Sequence, residues 1–233
     1  MNKFMQLLSA AGDWVVRSLK WIGFLVIYLV DSLILQAATG KAGHPQVATR
    51  LIGIMLIYSA FLIAFITWRY WQQLKKNNPR HIGKTPLTAK RAWQLAGLFV
   101  LMLAIQIGWS MLINTHVLSD PANQTALNTQ IVQLPFWNLA YAVLLAPLVE
   151  ETIFRGIFLN YFFRENSRVM NFLGVFMSGL IFGMMHVMSF SFTLLMYSAL
   201  GWVLGYTYLK FRDLRYNMTL HFLNNALSLL SFI

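Results

Sequence analysis

The sequence predicts an all-α protein, a polytopic transmembrane helical bundle of about seven spans. Composition is the first reason. Of 233 residues, 58% are hydrophobic and only 11% charged, against about a quarter charged in soluble domains. The second reason is blocking: the apolar residues gather in stretches near the ~20 residues that a helix needs to cross hydrocarbon. The third is charge placement, with lysine and arginine concentrated in alternate connections between those stretches.

Seven blocks are long enough to span: 21–38, 51–68, 95–113, 136–163, 170–188, 190–209 and 216–233. The fourth is overlong. The break between the fifth and sixth is a few residues around Ser189. Before the first block, Phe4, Leu7, Leu8, Ala11, Trp14, Val15 and Leu19 recur at helical spacing, with Lys3, Gln6, Ser9, Asp13, Arg17 and Lys20 mostly between them. That pattern suits an interfacial amphipathic helix, or equally a first helix packed on the bundle. The first block contains Asp31 and lacks a small-residue cleavage site, so it reads as a retained span. Residues 1–135 thus form an N-terminal part of three spans, and 136–233 a four-helix part that carries the polar motifs. The chain has no cysteine, which excludes thiolate nucleophiles and cysteine metal sites.

The formal charge is +11. Of the 18 basic residues, 15 lie in the N-terminal stretch and the second-to-third, fourth-to-fifth and sixth-to-seventh connections. Only Lys41 and Arg50 lie in the opposite set, and Arg155 falls inside a span. The positive-inside rule then gives a cytoplasmic N-terminus and an outside C-terminus. This topogenic pattern accounts for the charge, and no nucleic-acid partner is expected. The compact chain favours a prokaryotic cell membrane.

Against that apolar background stand Glu150 and Glu151, two of only three glutamates. Acid within hydrocarbon is costly and marks a functional site by default. Residues four apart on a helix share a face, and adjacent residues diverge by about 100°. Glu151 and Arg155 are therefore expected to pair, leaving Glu150 to face a cavity. Pro147, just upstream, either starts or kinks the helix. A second cluster places Phe182 and His186 on one face, beside Gly179 and Gly183, which allow close helix approach. A third places His221 and Asn225 on one face, with Asn224 turned aside as a packing amide. Gly201 and Gly205 read as helix packing alone. His186 and His221 are the two histidines within predicted spans. A carboxylate, two imidazoles and an amide are the parts that water-mediated amide hydrolysis needs. With straight helices, however, His186 and His221 would differ in depth by roughly 10 Å at 1.5 Å rise per residue.

The three motifs resemble those of the CAAX-protease and bacteriocin-processing family, also called the Abi family, which includes type II CAAX prenyl endopeptidases. Its pattern of EExxxR, FxxxH and a His or Asn four residues before an Asn matches Glu150-Glu151 to Arg155, Phe182 to His186, and His221 to Asn225. The resemblance covers residues 136–233. It implies that Glu150 is the general base assisted by His186, that His221 and Asn225 stabilise the oxyanion, and that Glu151, Arg155 and Phe182 support the site. No cofactor is favoured, because His221 paired with Asn225 suits an oxyanion hole. The alternative is Zn²⁺ held by Glu150, His186 and His221 with an open fourth position.

The expected activity is an intramembrane endopeptidase acting at the lipid bilayer. Its peptide or protein substrate is a prenylated tail, a peptide precursor such as a bacteriocin, or another membrane protein. The alternative is a non-catalytic bacteriocin-immunity or partner-binding membrane protein. An ion or proton carrier fits less well, since the first three spans offer little beyond Asp31, Gln106 and Ser110. HExxH is absent, and Ser178-Gly179 lacks the upstream glycine of a rhomboid-type motif.

Overall fold

The computed structural model describes residues 3–119 and 121–228, and among them every regular element is a helix, without strands. Five helices are long and apolar enough to cross a membrane. They lie in α1 (Lys3–Thr39), α2 (Pro45–Lys76), α3 (Ala89–Asn114), α8 (Arg168–His186) and α9 (Phe192–Phe211). The overlong fourth block is a composite run: α5 (Pro135–Ala140), a π-helical turn π1 (Tyr141–Leu145), α6 (Ala146–Glu151), a second π turn π2 (Thr152–Ile157) and α7 (Phe158–Phe162). The seventh block is α10 (Leu214–Ser228), and residues 229–233 lie outside the described residues. Five spans, the composite run and α10 give the bundle of about seven.

Local chemistry sets the helix ends. Pro45 sits in the first turn of α2, where its missing N–H costs nothing. The hydroxyls of Thr88, Ser167 and Ser191 each accept from the backbone N–H three residues on, capping α3, α8 and α9. Arg212 ends α9 in a left-handed conformation with φ 55°. The N-terminal segment is not a separate interfacial helix. It runs without a break into the first span, its Trp14 ring packs edge-on against Phe162, and Arg17 Nη1 donates to the Tyr161 carbonyl at 3.1 Å. The side chains of Phe4, Leu7 and Leu8 lie outside what the structure describes. The connection after α3 also holds an unanticipated helix, α4 (Ala122–Gln133), pinned to α5 by Asn138 Nδ2 donating to the Gln130 and Leu134 carbonyls.

The packing is that of a bundle surrounded by lipid. Phe61 on α2 is 73% exposed, and Met102 is the one described residue of α3 that is buried. The main core lies between α1, α2 and the composite run, with Trp21, Phe24, Ile66, Ile153, Phe154 and Phe158 among its members. Helices α8 and α9 cross closely through small residues. A Cβ at Gly201 would lie 2.8 Å from Gly179 Cα, and one at Gly183 would lie 3.0 Å from the Leu194 carbonyl oxygen. Backbones approach this closely only without side chains between them.

Three basic connections lie together. Asn77 Nδ2 reaches the Arg164 carbonyl at 3.4 Å, and Arg80 donates to Asn171 Oδ1 at 2.7 Å and to the Glu165 carbonyl at 2.8 Å. The Gly83 N–H bonds the Arg212 carbonyl at 2.8 Å, and Asp213 accepts from the Thr85 N–H at 2.8 Å and from Arg215 Nη2 at 2.6 Å. Burial draws the Asp213 carboxyl up, but the Arg215 side chain and the Thr85 and Arg215 backbone donors outweigh it. The group therefore ionises below the usual aspartate value. The connections that the charge pattern assigns to one side are thus bonded on one side.

Candidate active site

Both glutamates lie at the end of α6, between the two π turns. Each π turn is marked by a backbone bond that skips back five residues: Ala146 N–H to the Tyr141 carbonyl, and Phe158 N–H to the Ile153 carbonyl. Such bulges shift the helix face and loosen the carbonyl ladder. Pro147 lies two residues after π1, and its ring and missing N–H are reasons for regular α-helix to give way there. Around π2, side chains from other helices take up carbonyls. Trp21 Nε1 donates to Ile153 O at 3.3 Å, and Ser178 Oγ donates to Phe154 O at 2.8 Å.

Glu151 is fully buried and fully bonded. Its Oε1 accepts from Arg155 Nη1 at 2.8 Å, as the four-residue spacing predicts, and from His221 Nδ1 at 2.8 Å. Its Oε2 accepts from Asn217 Nδ2 at 2.5 Å. Arg155 also donates through Nη2 to the Gly201 carbonyl at 3.0 Å, and its Cζ lies 4.5 Å from the Phe182 ring centroid. A buried ion pair is tolerated when its remaining donors and acceptors find partners, and here most do. Phe182 also touches both imidazoles, with centroids 4.4 Å from His186 and 5.7 Å from His221. His186 and His221 therefore converge on one ring despite the depth mismatch expected of straight helices.

Glu150 has different partners. Tyr28 of α1 donates to its Oε1 at 2.5 Å, and His221 Nε2 lies 3.8 Å from its Oε2. Because Glu151 accepts at His221 Nδ1, that nitrogen carries hydrogen and Nε2 is turned to Glu150. His186 is fixed likewise: its Nδ1 bonds the Phe182 carbonyl at 2.9 Å, and its ring stacks on Tyr197. Asn225 Nδ2 donates to the Ala142 carbonyl in π1 at 2.8 Å. Asn224 is buried and reaches Asn225 Oδ1 at 3.4 Å.

Residues 132–227, which contain this whole arrangement except Trp21 and Tyr28, match the family model described as type II CAAX prenyl endopeptidase, Rce1-like. The segment is similar to Rce1-like domains. No curated protein and no solved structure matches the chain. The Rce1-like family is a protease family, so the match supports a hydrolase, and the apolar helices support an integral membrane protein. The motifs singled out in the sequence all fall inside the matched segment.

Two members of the site were not anticipated. Asn217 had a visible signal, since it lies one turn before His221 and extends the four-residue spacing to 217, 221 and 225. Tyr28 had none, because nothing local ties it to a glutamate 122 positions away. As for zinc, the Nδ1 bonds of His186 and His221 leave Nε2 suited to ligation. Yet no three His, Cys, Asp or Glu side chains group closely enough among the described residues to hold a metal ion. A cavity of about 220 Å³ between α2 and α10 is lined by Ile63, Trp71, Leu148, Thr152 and Met218 and includes none of the candidate catalytic side chains.

Proposed function

We propose that this Rce1-like chain is an intramembrane endopeptidase in which Glu150 activates the attacking water. The carrying observation is the division between the glutamates. Glu151 is consumed by Arg155, His221 and Asn217, whereas Glu150 holds only a phenol and faces an imidazole nitrogen. A general base needs an ionised carboxylate with a lone pair left open to the proton of water.

In this mechanism Glu150, assisted by His186, takes a proton from water as the oxygen attacks the scissile carbonyl carbon. The carbonyl π bond opens and leaves negative charge on its oxygen. His221 and Asn225 donate to that oxygen. With Nδ1–H engaged by Glu151, His221 Nε2 donates only as imidazolium, a cation that two adjacent carboxylates would balance. Collapse of the tetrahedral intermediate breaks the C–N bond, and the departing amine takes the proton from Glu150. This route uses no metal.

The finer reading of substrate is a prenylated protein tail, in keeping with the family's description, cleaved at the cytoplasmic side of the membrane. The test uses purified full-length protein and a fluorogenic farnesylated peptide with a CAAX-type C-terminus. Glu150→Gln is expected to lower turnover by about 10² or more, the scale of a lost general base. Near-wild-type cleavage by that variant would end the glutamate-base mechanism.

A further inference from the structure

Polar contacts between α1 and the composite run form an antiparallel ladder. Arg17, Trp21, Tyr28, Asp31 and Thr39 share one face of α1 by helical spacing. Arg17 donates to the Tyr161 carbonyl at 3.1 Å, Trp21 to the Ile153 carbonyl at 3.3 Å and Tyr28 to Glu150 Oε1 at 2.5 Å. Asp31 Oδ2 accepts from Tyr141 Oη at 3.1 Å, and Thr39 Oγ1 accepts from Asn138 Nδ2 at 3.0 Å. Positions rise along α1 as they fall along the run, so the Tyr28 bond is one rung of a continuous seam. Helix α2 holds the same turn of α1, with Tyr58 Oη donating to the Ile27 carbonyl at 2.9 Å and Ser59 Oγ to Asp31 Oδ1 at 2.7 Å. Tyr28 is the rung that ends on Glu150, and it lies outside residues 132–227.

The two oxygens of Glu150 face different helices. Oε1 takes the Tyr28 phenol of α1, and Oε2 lies 3.8 Å from His221 Nε2 of α10. The last torsion of a glutamate side chain is broad, with no staggered wells to hold it. A carboxylate without a fixed donor therefore swings about its Cγ–Cδ bond. A donor on Oε1 fixes the plane and leaves the lone pairs of Oε2 turned toward His221. Tyr28 is itself held, because α1 is bonded on either side of it, at Ile27 and at Asp31.

We infer that Tyr28 is a positioning residue for the hydrolytic reaction: its phenol anchors Glu150 Oε1 and so makes Oε2 the oxygen that takes the proton of water. The inference rests on Glu150 being the base. In the proposed sequence a water O–H bond breaks and an Oε2–H bond forms, and the proton later leaves Oε2 for the departing amine. The Tyr28 O–H stays intact throughout, donating to Oε1 before and after. Its role is aim and not proton transfer. The active site then spans both parts of the chain, with the first span supplying a group that the motif-bearing segment lacks.

The test uses the purified full-length protein and the farnesylated CAAX-type peptide. Tyr28→Phe is expected to lower kcat by about 10- to 100-fold with KM nearly unchanged, the scale of a misaimed reacting group. In the Glu150→Gln background the same substitution should lower kcat by less than about 3-fold, because groups that act as a unit lose their effect together. A purely structural role would cost the same factor in both backgrounds. With 4-aminophenylalanine at position 28, which keeps the ring and an N–H donor, much of the lost turnover should return. With 4-methylphenylalanine, which fills the same space without a donor, it should not, and this pair replaces Tyr28→Phe should that variant not fold. Infrared spectra without substrate give a second reading. The wild-type minus Glu150→Gln difference isolates the Glu150 carboxylate band, which should shift when the donor at 28 is removed. Three results overturn the inference: unchanged kcat without the donor, equal loss in both backgrounds, or an unmoved band. Near-wild-type cleavage by Glu150→Gln refutes the base itself, whereas a Glu150-dependent enzyme indifferent to the donor at 28 refutes the positioning alone.

Discussion

Glu151 accepts a hydrogen bond from His221 Nδ1 at 2.8 Å across 70 positions of sequence. That bond joins the EExxxR motif to the HxxxN motif and gives Glu151 a task besides pairing with Arg155. A carboxylate on Nδ1 fixes the ring's orientation and determines that Nε2 faces Glu150. Glu151 is therefore a positioning residue for His221 as well as the counter-ion of Arg155.

The two tasks separate by substitution. Glu151→Ala leaves Arg155 buried without its partner, a change that costs about 3–5 kcal/mol. It should show as a lowered melting temperature and reduced abundance. Glu151→Gln keeps the volume and offers an amide to the same neighbours. It should retain more stability than the alanine variant while losing about 10- to 100-fold in turnover, the scale of a lost orienting partner. A Gln variant with unchanged kcat would remove His221 orientation from the account.

Asn225 and Asn224 are adjacent but differently placed. Asn225→Ala is expected to lower kcat by roughly 10² to 10³ with little change in KM, as for loss of an oxyanion donor. Asn224→Ala should act on thermal stability and leave kcat nearly unchanged. Steady-state kinetics and melting curves on both variants decide it, and equal effects on kcat would count against the assignment.

Acid should loosen the side of the bundle that holds the basic connections. Asp213, whose carboxyl is held low by Arg215 and the Thr85 N–H, ties the 83–86 segment to the turn between α9 and α10. A carboxyl with a depressed folded value contributes stability that is present above its unfolded value of about 3.9 and is lost as pH falls through the lower folded value. Hydrogen exchange around Thr85 should therefore rise as pH drops below about 4. In Asp213→Asn that exchange should already be high at neutral pH and show no such dependence.

Orientation has a clean assay in a cysteine-free chain. Single cysteines at Asn77 and at Asn123 should behave oppositely toward an impermeant thiol reagent in intact cells, with Asn77 protected and Asn123 labelled. The basic connections are bonded to one another, so cysteines at Asn77 and Asn166 should share one response. The reverse pattern at 77 and 123 would invert the proposed topology.

The sequence by itself determined the class of molecule and the local halves of the site. Block lengths and the poverty of charge specify helices in lipid, because hydrocarbon leaves the backbone no other way to satisfy its polar groups within one segment. Glu151 with Arg155, Phe182 with His186, and His221 with Asn225 were legible because residues four apart share a helix face. The tertiary structure alone decided how these pieces meet. Tyr28 reaching Glu150, His221 reaching Glu151 and Arg155 reaching the Gly201 carbonyl all depend on where separate helices cross. The π turns on either side of the glutamates were equally invisible. An inserted backbone residue leaves no periodic trace in a run that is apolar on every face, and the continuous N-terminal helix is fixed by Trp14 and Arg17 packing on the composite run, a contact without any sequence signature.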